Sequence, residues 1–166
     1  YPPGYKENGS IFCHNNPWIS IAETVLGRGD NAFDIYKRTC PVYQEENSDV
    51  RRVEPYVYAQ TVAARASYDE GAARNSWLTG TAAWTFVNIS QYILGIKPSL
   101  DGLMIEPCLP KEMTDYTVVR RYRGAVYHVH VKATGSYSLT VDGASVSGKV
   151  IPFVEGKTEY AVEVTV

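Results

Sequence analysis

The sequence predicts an α+β chain: a helical part over residues 1–97, followed by an antiparallel β-sandwich over residues 98–166. Two observations carry this. Apolar residues recur at helical spacing up to Gly95, and from Gly102 onward short alternating runs are separated by glycine turns. Asn16 suits a helix N-cap and Pro17 the first helical position, with Trp18, Ile19, Ala22, Val25 and Leu26 following until Gly27 and Gly29. Asp30 is placed to cap a second helix carrying Ala32, Phe33, Ile35 and Tyr36, which Cys40-Pro41 ends. The charged, aperiodic stretch Gln44 to Arg52 reads as a loop. A third helix is expected from Pro55 through Tyr56, Ala59, Gln60 and Ala63, and a fourth from Thr79-Gly80 through Ala83, Trp84, Val87, Tyr92 and Leu94. Strands follow at residues 103–105, 116–122, 125–132, 137–141 and 159–166, with Gly124, Gly135, Asp142-Gly143, Gly148 and Glu155-Gly156 as turns.

With 166 residues the chain can hold one domain, or one small domain and part of another. A net charge of −2 gives no reason to expect nucleic acid or anionic membrane, and Arg120-Arg121-Tyr122-Arg123 reads as a solvated strand face. No apolar run reaches the ~18–20 residues needed to cross a bilayer. Three cysteines at wide spacing argue against a disulfide framework and for a reducing, cytoplasmic setting. Cys13 and His14 are sequence neighbours whose side chains diverge in an extended segment, so a thiol–imidazole pair is not expected. His128 and His130 share one strand face without a further ligand candidate, so no metal or other cofactor is expected.

Chemistry concentrates at two places. Lys6-Glu7-Asn8-Gly9 and His14 precede the first helix, and Asn75-Ser-Trp-Leu-Thr79-Gly80 opens the fourth. Helix N-termini attract anions, Thr79 carries a hydroxyl donor, and Gly80 lets a ligand approach the backbone. His14 can add a further donor. Lys6, Glu7, Asn8 and Gln60 can bond sugar hydroxyls, while Tyr1, Tyr5, Trp18 and Trp77 offer faces for the apolar side of a pyranose. The plainer alternative stands beside this: Thr79 as an N-cap, His14 as a core histidine, the loop charges solvated and the tryptophans in the core.

The wording Tyr5-Lys6-Glu7-Asn8-Gly9, His14-Asn-Asn-Pro-Trp18, Glu54-Pro-Tyr-Val-Tyr-Ala-Gln60, Trp77-Leu-Thr79-Gly80-Thr-Ala-Ala-Trp84 and Gln91-Tyr-Ile-Leu-Gly-Ile-Lys-Pro98 closely resembles the C-terminal part of cellobiose phosphorylases. These belong to the family 94-type inverting disaccharide phosphorylases, which also act on chitobiose, laminaribiose and cellodextrins. The motifs keep one order from Tyr1 to about Pro110, and His14–Trp18 looks more like the cellobiose enzymes. The resemblance implies the last helices of an (α/α)6 barrel over 1–97 and a C-terminal β-sandwich over 98–166. It implies that His14, Thr79 and Gly80 hold inorganic phosphate, that Gln60 meets the sugar whose bond breaks, and that Lys6 and Glu7 meet the leaving sugar. The family's general-acid aspartate would precede Tyr1, which makes this chain a fragment expected to be inactive alone, prone to aggregate through Trp18, Phe33, Trp84 and Phe86, and part of a homodimeric enzyme.

The implied reaction is phosphorolysis of cellobiose to α-glucose 1-phosphate and glucose. An inverting hydrolase needs two carboxylates, one of them to activate water. Phosphate is already an anionic nucleophile, so donors that position it replace the base. A stand-alone carbohydrate-binding module would place its aromatic residues on the strands, and a glucoamylase-like hydrolase would need a second carboxylate where His14 and Thr79 stand. The site-like residues here lie in the helical half instead, no second carboxylate is evident at those positions, and other phosphorylases of the family or a non-catalytic carbohydrate-binding module stand as alternatives. His14, Gln60, Thr79 and Gly80 are therefore expected to face one pocket.

Overall fold

The computed structural model describes residues 1–166 and divides them into two compact units. The first comprises Tyr1–Leu26 and Asn31–Asn88; the second comprises Gly27–Asp30 and Ile89–Val166. Mixed helix and sheet is confirmed at the level of class, with fewer helices in the first part than the sequence suggests.

The first unit starts with a short strand β1 (Ile11–Phe12), a 3-10 turn (Cys13–Asn15) and helix α1 (Asn16–Val25). The 3-10 turn shifts the expected cap by one residue: Asn16 is already helical, and its N–H is satisfied by the Cys13 carbonyl. Helix α2 spans Gly29–Thr39, so Asp30 stands inside its first turn rather than at a cap. The Asp30 carboxylate accepts the Lys111 N–H at 2.8 Å, which fastens Gly27–Asp30 to the second unit. The expected loop 44–52 is instead a 3-10 run (Pro41–Asn47) and one helical turn, α3 (Ser48–Arg51), ended by Arg52 at φ +57.

The expected helix over Pro55–Ala63 does not form. Residues 57–64 alternate strictly between buried and half-buried, with Val57, Ala59, Thr61 and Ala63 inward, and this period of two makes an extended segment. Its end is β2 (Thr61–Val62), flanked by β1 and by β3 (Ala73–Arg74) in an antiparallel sheet ordered β1-β2-β3. Gln60 therefore lies on a strand extension, not on a helix face.

Helix α4 (Thr81–Val87) continues into a wider π-helical turn (Asn88–Ile93) that stops at Gly95, φ +70. Helices α1 and α4 pack through hydroxyls and an amide. Asn88 Nδ2 donates to Ser20 Oγ at 2.8 Å, and Ser20 Oγ donates to the Ala32 carbonyl at 2.8 Å. Ser20, Thr24, Thr81, Thr85 and Asn88 are buried, whereas Trp18, Ile19, Trp84 and Phe86 are exposed. The apolar stripes read in the sequence thus face outward on both helices. Phe33, expected to be open as well, is half-buried.

The second unit carries β4 (Ile96–Pro98), β5 (Gly102–Ile105), β6 (Asp115–Tyr122), β7 (Ala125–Lys132), β8 (Ser138–Val141), β9 (Ala144–Ser145), β10 (Val150–Pro152) and β11 (Glu159–Thr165). They form a three-stranded sheet ordered β10-β5-β4 and a five-stranded sheet ordered β6-β7-β11-β8-β9. One apolar core draws on both sheets: Leu103, Ile105 and Ile151 from the smaller, and Val129, Val131, Leu139, Val162 and Val164 from the larger. Tyr127 and Tyr160 stack within it, centroids 4.3 Å apart. The expected strands are present, but the larger sheet is not purely antiparallel. β11 pairs parallel to β7, from Glu159 opposite Val126 to Thr165 opposite Lys132. Short turns never produce a parallel neighbour, so this pairing needs the long excursion through β8–β10. His130 sits on the open face of this sheet with Nε2 2.8 Å from Asp115 and Nδ1 3.1 Å from Glu163. No helix is long and apolar enough to cross a membrane.

Candidate active site

Gln60 is the hub of the first unit. Its carbonyl accepts the Cys13 N–H at 2.8 Å, and its own N–H reaches the Arg74 carbonyl at 3.1 Å, so strand pairing on both sides fixes its backbone. The inward alternation of Ala59 and Thr61 turns its side chain to the opposite surface. There Lys6 Nζ and Asn75 Nδ2 both donate to Gln60 Oε1, the latter at 2.8 Å. Both lone pairs of that oxygen are used, which leaves the side-chain NH2 as what Gln60 can offer a ligand.

Lys6 is held by more than this bond. Its loop closes on itself through Asn8 N–H to the Tyr5 carbonyl at 2.9 Å and Ser10 N–H to the Lys6 carbonyl at 3.0 Å. Asp69, its side chain only 6% exposed, then accepts from the Tyr5 hydroxyl, from Ser67 Oγ at 2.5 Å and from the Arg74 guanidinium. A buried carboxylate with three donors is a fully satisfied anchor. It ties residues 1–10 to β3. Glu7 is not drawn in: its side chain is exposed on the loop.

His14 lies on the 3-10 turn that packs against α4. Its ring sits between Phe12 (centroids 5.5 Å) and Trp18 (6.4 Å), and Trp18 meets Trp84 edge-on at 5.5 Å. His14 Nδ1 is buried without a hydrogen-bond partner, a condition that native structures seldom leave unexplained.

Thr79 is not the N-cap of α4, which is Gly80, but it bonds the first helical residue. Its Oγ1 accepts the Thr81 N–H at 3.1 Å and lies 2.7 Å from Thr81 Oγ1. Because the Thr81 hydroxyl donates to the Ala59 carbonyl at 3.0 Å, the shared proton in that contact belongs to Thr79. Gly80 is different. It has φ −78, and an added Cβ would meet nothing nearer than Trp84 Cδ1 at 3.7 Å. Neither backbone nor packing demands a glycine there. Its outer side is simply open.

Of the six expected residues, one hydrogen bond joins Lys6 to Gln60; the remaining links to Ala59-Gln60 run through chain neighbours, and Glu7 has none. Lys6 bonds Gln60 directly, His14 connects through Cys13, and Thr79 with Gly80 through Thr81. None of them lines the cavity of about 320 Å³ formed by their neighbours Cys13, Ala59 and Thr81 together with Arg51 and Tyr58, so that cavity is not the common pocket expected for them. Burial pushes the Cys13 thiol up to about 11, with Arg51 partly opposing, so Cys13 stays a neutral thiol and not a nucleophile.

Sequence reasoning missed Asn75, Asp69 and Arg74. A signal exists in the stretch Asn75–Gly80, from which the sequence offers Trp77, Thr79 and Gly80 as ligand contacts but gives Asn75 no role. Lys6 (φ +45) and Asn75 (φ +51), which both bond Gln60, are left-handed non-glycines, and so is Trp77 (φ +71) two residues further along the loop. Such strain concentrates where the surroundings impose a geometry.

Residues 1–95 match the catalytic domain of the glycosyl hydrolase 94 superfamily, and the chain belongs to that superfamily. It is similar to an N,N'-diacetylchitobiose phosphorylase from Vibrio proteolyticus, 40% identical over 97% of this chain and 21% of that protein. It is also similar to a protein of the same name from Vibrio furnissii, 38% identical over 93% of this chain and 19% of that one. A solabiose phosphorylase from Paenibacillus borealis is 34% identical over 99% of this chain and 22% of its own length. The chain spans about a fifth of the length of these curated relatives.

Proposed function

We propose that this chain supplies the phosphate-binding and part of the sugar-binding residues of an inverting disaccharide phosphorylase, with residues 1–97 as the last helices of an (α/α)6 barrel and 98–166 as its terminal β domain. The observation that carries the reading is the buried, unpartnered Nδ1 of His14, and the open side of Gly80 supports it. An imidazole that lacks a protein partner and a glycine that nothing internal requires are what a bound oxyanion would use. Thr79 joins by turning its hydroxyl from Thr81 to the anion. Lys6 and the Gln60 amide then face the sugars, and Glu7 reaches the leaving sugar from its exposed loop.

The chemistry follows from those roles. Phosphate held beneath the anomeric carbon attacks it as the glycosidic bond breaks, so the product is the inverted α-sugar 1-phosphate. The proton for the leaving oxygen comes from an acid outside residues 1–166. Inorganic phosphate is a substrate, and no cofactor or metal enters. A homodimer in a reducing cytoplasm is part of the same proposal.

For the disaccharide, the two Vibrio relatives favour N,N'-diacetylchitobiose over the cellobiose suggested by the wording His14–Trp18, since none of the relatives described above is named for cellobiose. The test is to incubate the full-length protein carrying this sequence with phosphate and either disaccharide, and to follow the products by NMR. N-acetyl-α-glucosamine 1-phosphate from diacetylchitobiose is expected. α-Glucose 1-phosphate from cellobiose alone would restore the cellobiose assignment. Free sugars without a phosphate ester would make the enzyme a hydrolase and overturn the proposal.

A further inference from the structure

The loop between β3 and α4 holds Trp77, one of four aromatic residues the sequence offers as faces for a pyranose and one to which the reaction proposed above gives no role. Trp77 is 66% exposed, yet it is fixed at three points. Its indole Nε1 donates to Glu54 Oε1 at 3.0 Å. Its ring meets Tyr56 near edge-on, with centroids 6.2 Å apart and planes at 70°. Its backbone is left-handed at φ +71, a conformation that a bulky residue rarely occupies. A surface tryptophan without a task needs none of these constraints. The N–H···carboxylate bond also holds the Glu54 carboxyl below its ordinary range, so the anchor stays ionised.

The position of this ring matters more than its exposure. Asn75, two residues earlier and left-handed as well, donates to Gln60 Oε1. One strained loop therefore presents the amide that orients Gln60 and, next to it, a rigid indole. A pyranose with equatorial hydroxyls has a flat face of C–H groups and a rim of hydroxyls. The first fits an aromatic plate, and the second fits the neighbouring amides and ammonium.

We propose that Trp77, steadied by Glu54 and Tyr56, is a stacking platform for a pyranose ring of the disaccharide held by Gln60 and Lys6. The platform deepens the phosphorylase reading and rests on it. It adds a specificity contact for equatorial sugars that is separate from the phosphate-binding residues.

The experiment uses the full-length protein with N,N'-diacetylchitobiose and cellobiose as probes. Trp77→Ala should raise KM for the disaccharide about 10-fold and leave KM for phosphate within about twofold, since one stack is worth roughly a decade. Trp77→Phe, which keeps a plate, should recover most of the loss. A loss of folding alone would move both KM values together and would count against the platform, as would an unchanged sugar KM. Binding followed by tryptophan emission does not depend on turnover. A saturable sugar-induced change in the wild type that Trp77→Phe abolishes supports the platform even if no disaccharide is phosphorolysed, an outcome that would sink only the phosphorylase reading. A wild type that binds neither sugar would overturn the platform.

Discussion

His14 shows how a single side chain can be half legible. Its place before a helix and beside aromatic residues was visible, but its unpartnered Nδ1 was not, because burial depends on Phe12, Trp18 and the turn folding together. A charge-assisted donor to phosphate is worth about 1.5–3 kcal/mol, so His14→Ala in the full-length enzyme should raise KM for phosphate by roughly 10- to 100-fold. Thermal denaturation should change less than phosphate use, since no protein hydrogen bond to Nδ1 is lost and only the ring contacts with Phe12 and Trp18 go. Phosphate kinetics unchanged by the substitution would return His14 to a packing role. Asp69 is the opposite case: an aspartate in a loop carries no sequence mark of burial, and only Tyr5, Ser67 and Arg74 converging from separate segments make it an anchor.

Individual elements were read well where the period was strong. β7 and β11 alternate cleanly and form where expected. The segment Pro55–Ala63 misled because Tyr56, Ala59, Gln60 and Ala63 fit a helical face, while the alternation Val57, Ala59, Thr61, Ala63 fits a strand; pairing with β1 and β3 decides between them. The Asp142-Gly143 turn forms where the sequence places it. Both residues are left-handed, φ +51 and +83, as a two-residue hairpin between β8 and β9 requires. Asp142 also accepts from Lys157 Nζ and from the Ala161 N–H, which holds its carboxyl below the ordinary 3.8. A carboxyl depressed in the fold stabilises the protein above its ordinary value, and that contribution disappears as pH falls through the folded value. Asp142→Asn, whose amide does not titrate, should therefore flatten the acid limb of stability. Urea midpoints compared at neutral pH and below the carboxylate range would show it; equal acid sensitivity in both proteins would rule out the effect.

At the scale of the whole molecule, class and family were within reach of the sequence and sheet topology was not. Parallel pairing of β11 leaves no local signature, since its partner residues lie far apart along the chain. The outward apolar faces of α1 and α4 escape the sequence for a related reason: Ser20, Thr24, Thr85 and Asn88 look like solvent-facing residues until the Asn88–Ser20 bond and the burial of all four are known. Removing residues 159–166 from the full-length protein should expose the β unit to limited proteolysis, because β7 and β8 then lose their common neighbour. Retained resistance would show that the two strands can close on each other directly. The same insertion has a consequence in time. On the ribosome, β6–β7 and β8–β9 are complete long before β11 emerges to join them. At ~5–20 residues per second the two halves wait, edges bare, for on the order of seconds. During that interval Tyr127, Val129 and Val131 on one side and Leu139 and Val141 on the other are open to any nascent neighbour on the same polysome. Faster translation of this stretch would shorten the danger, and a pause before residue 159 would prolong it.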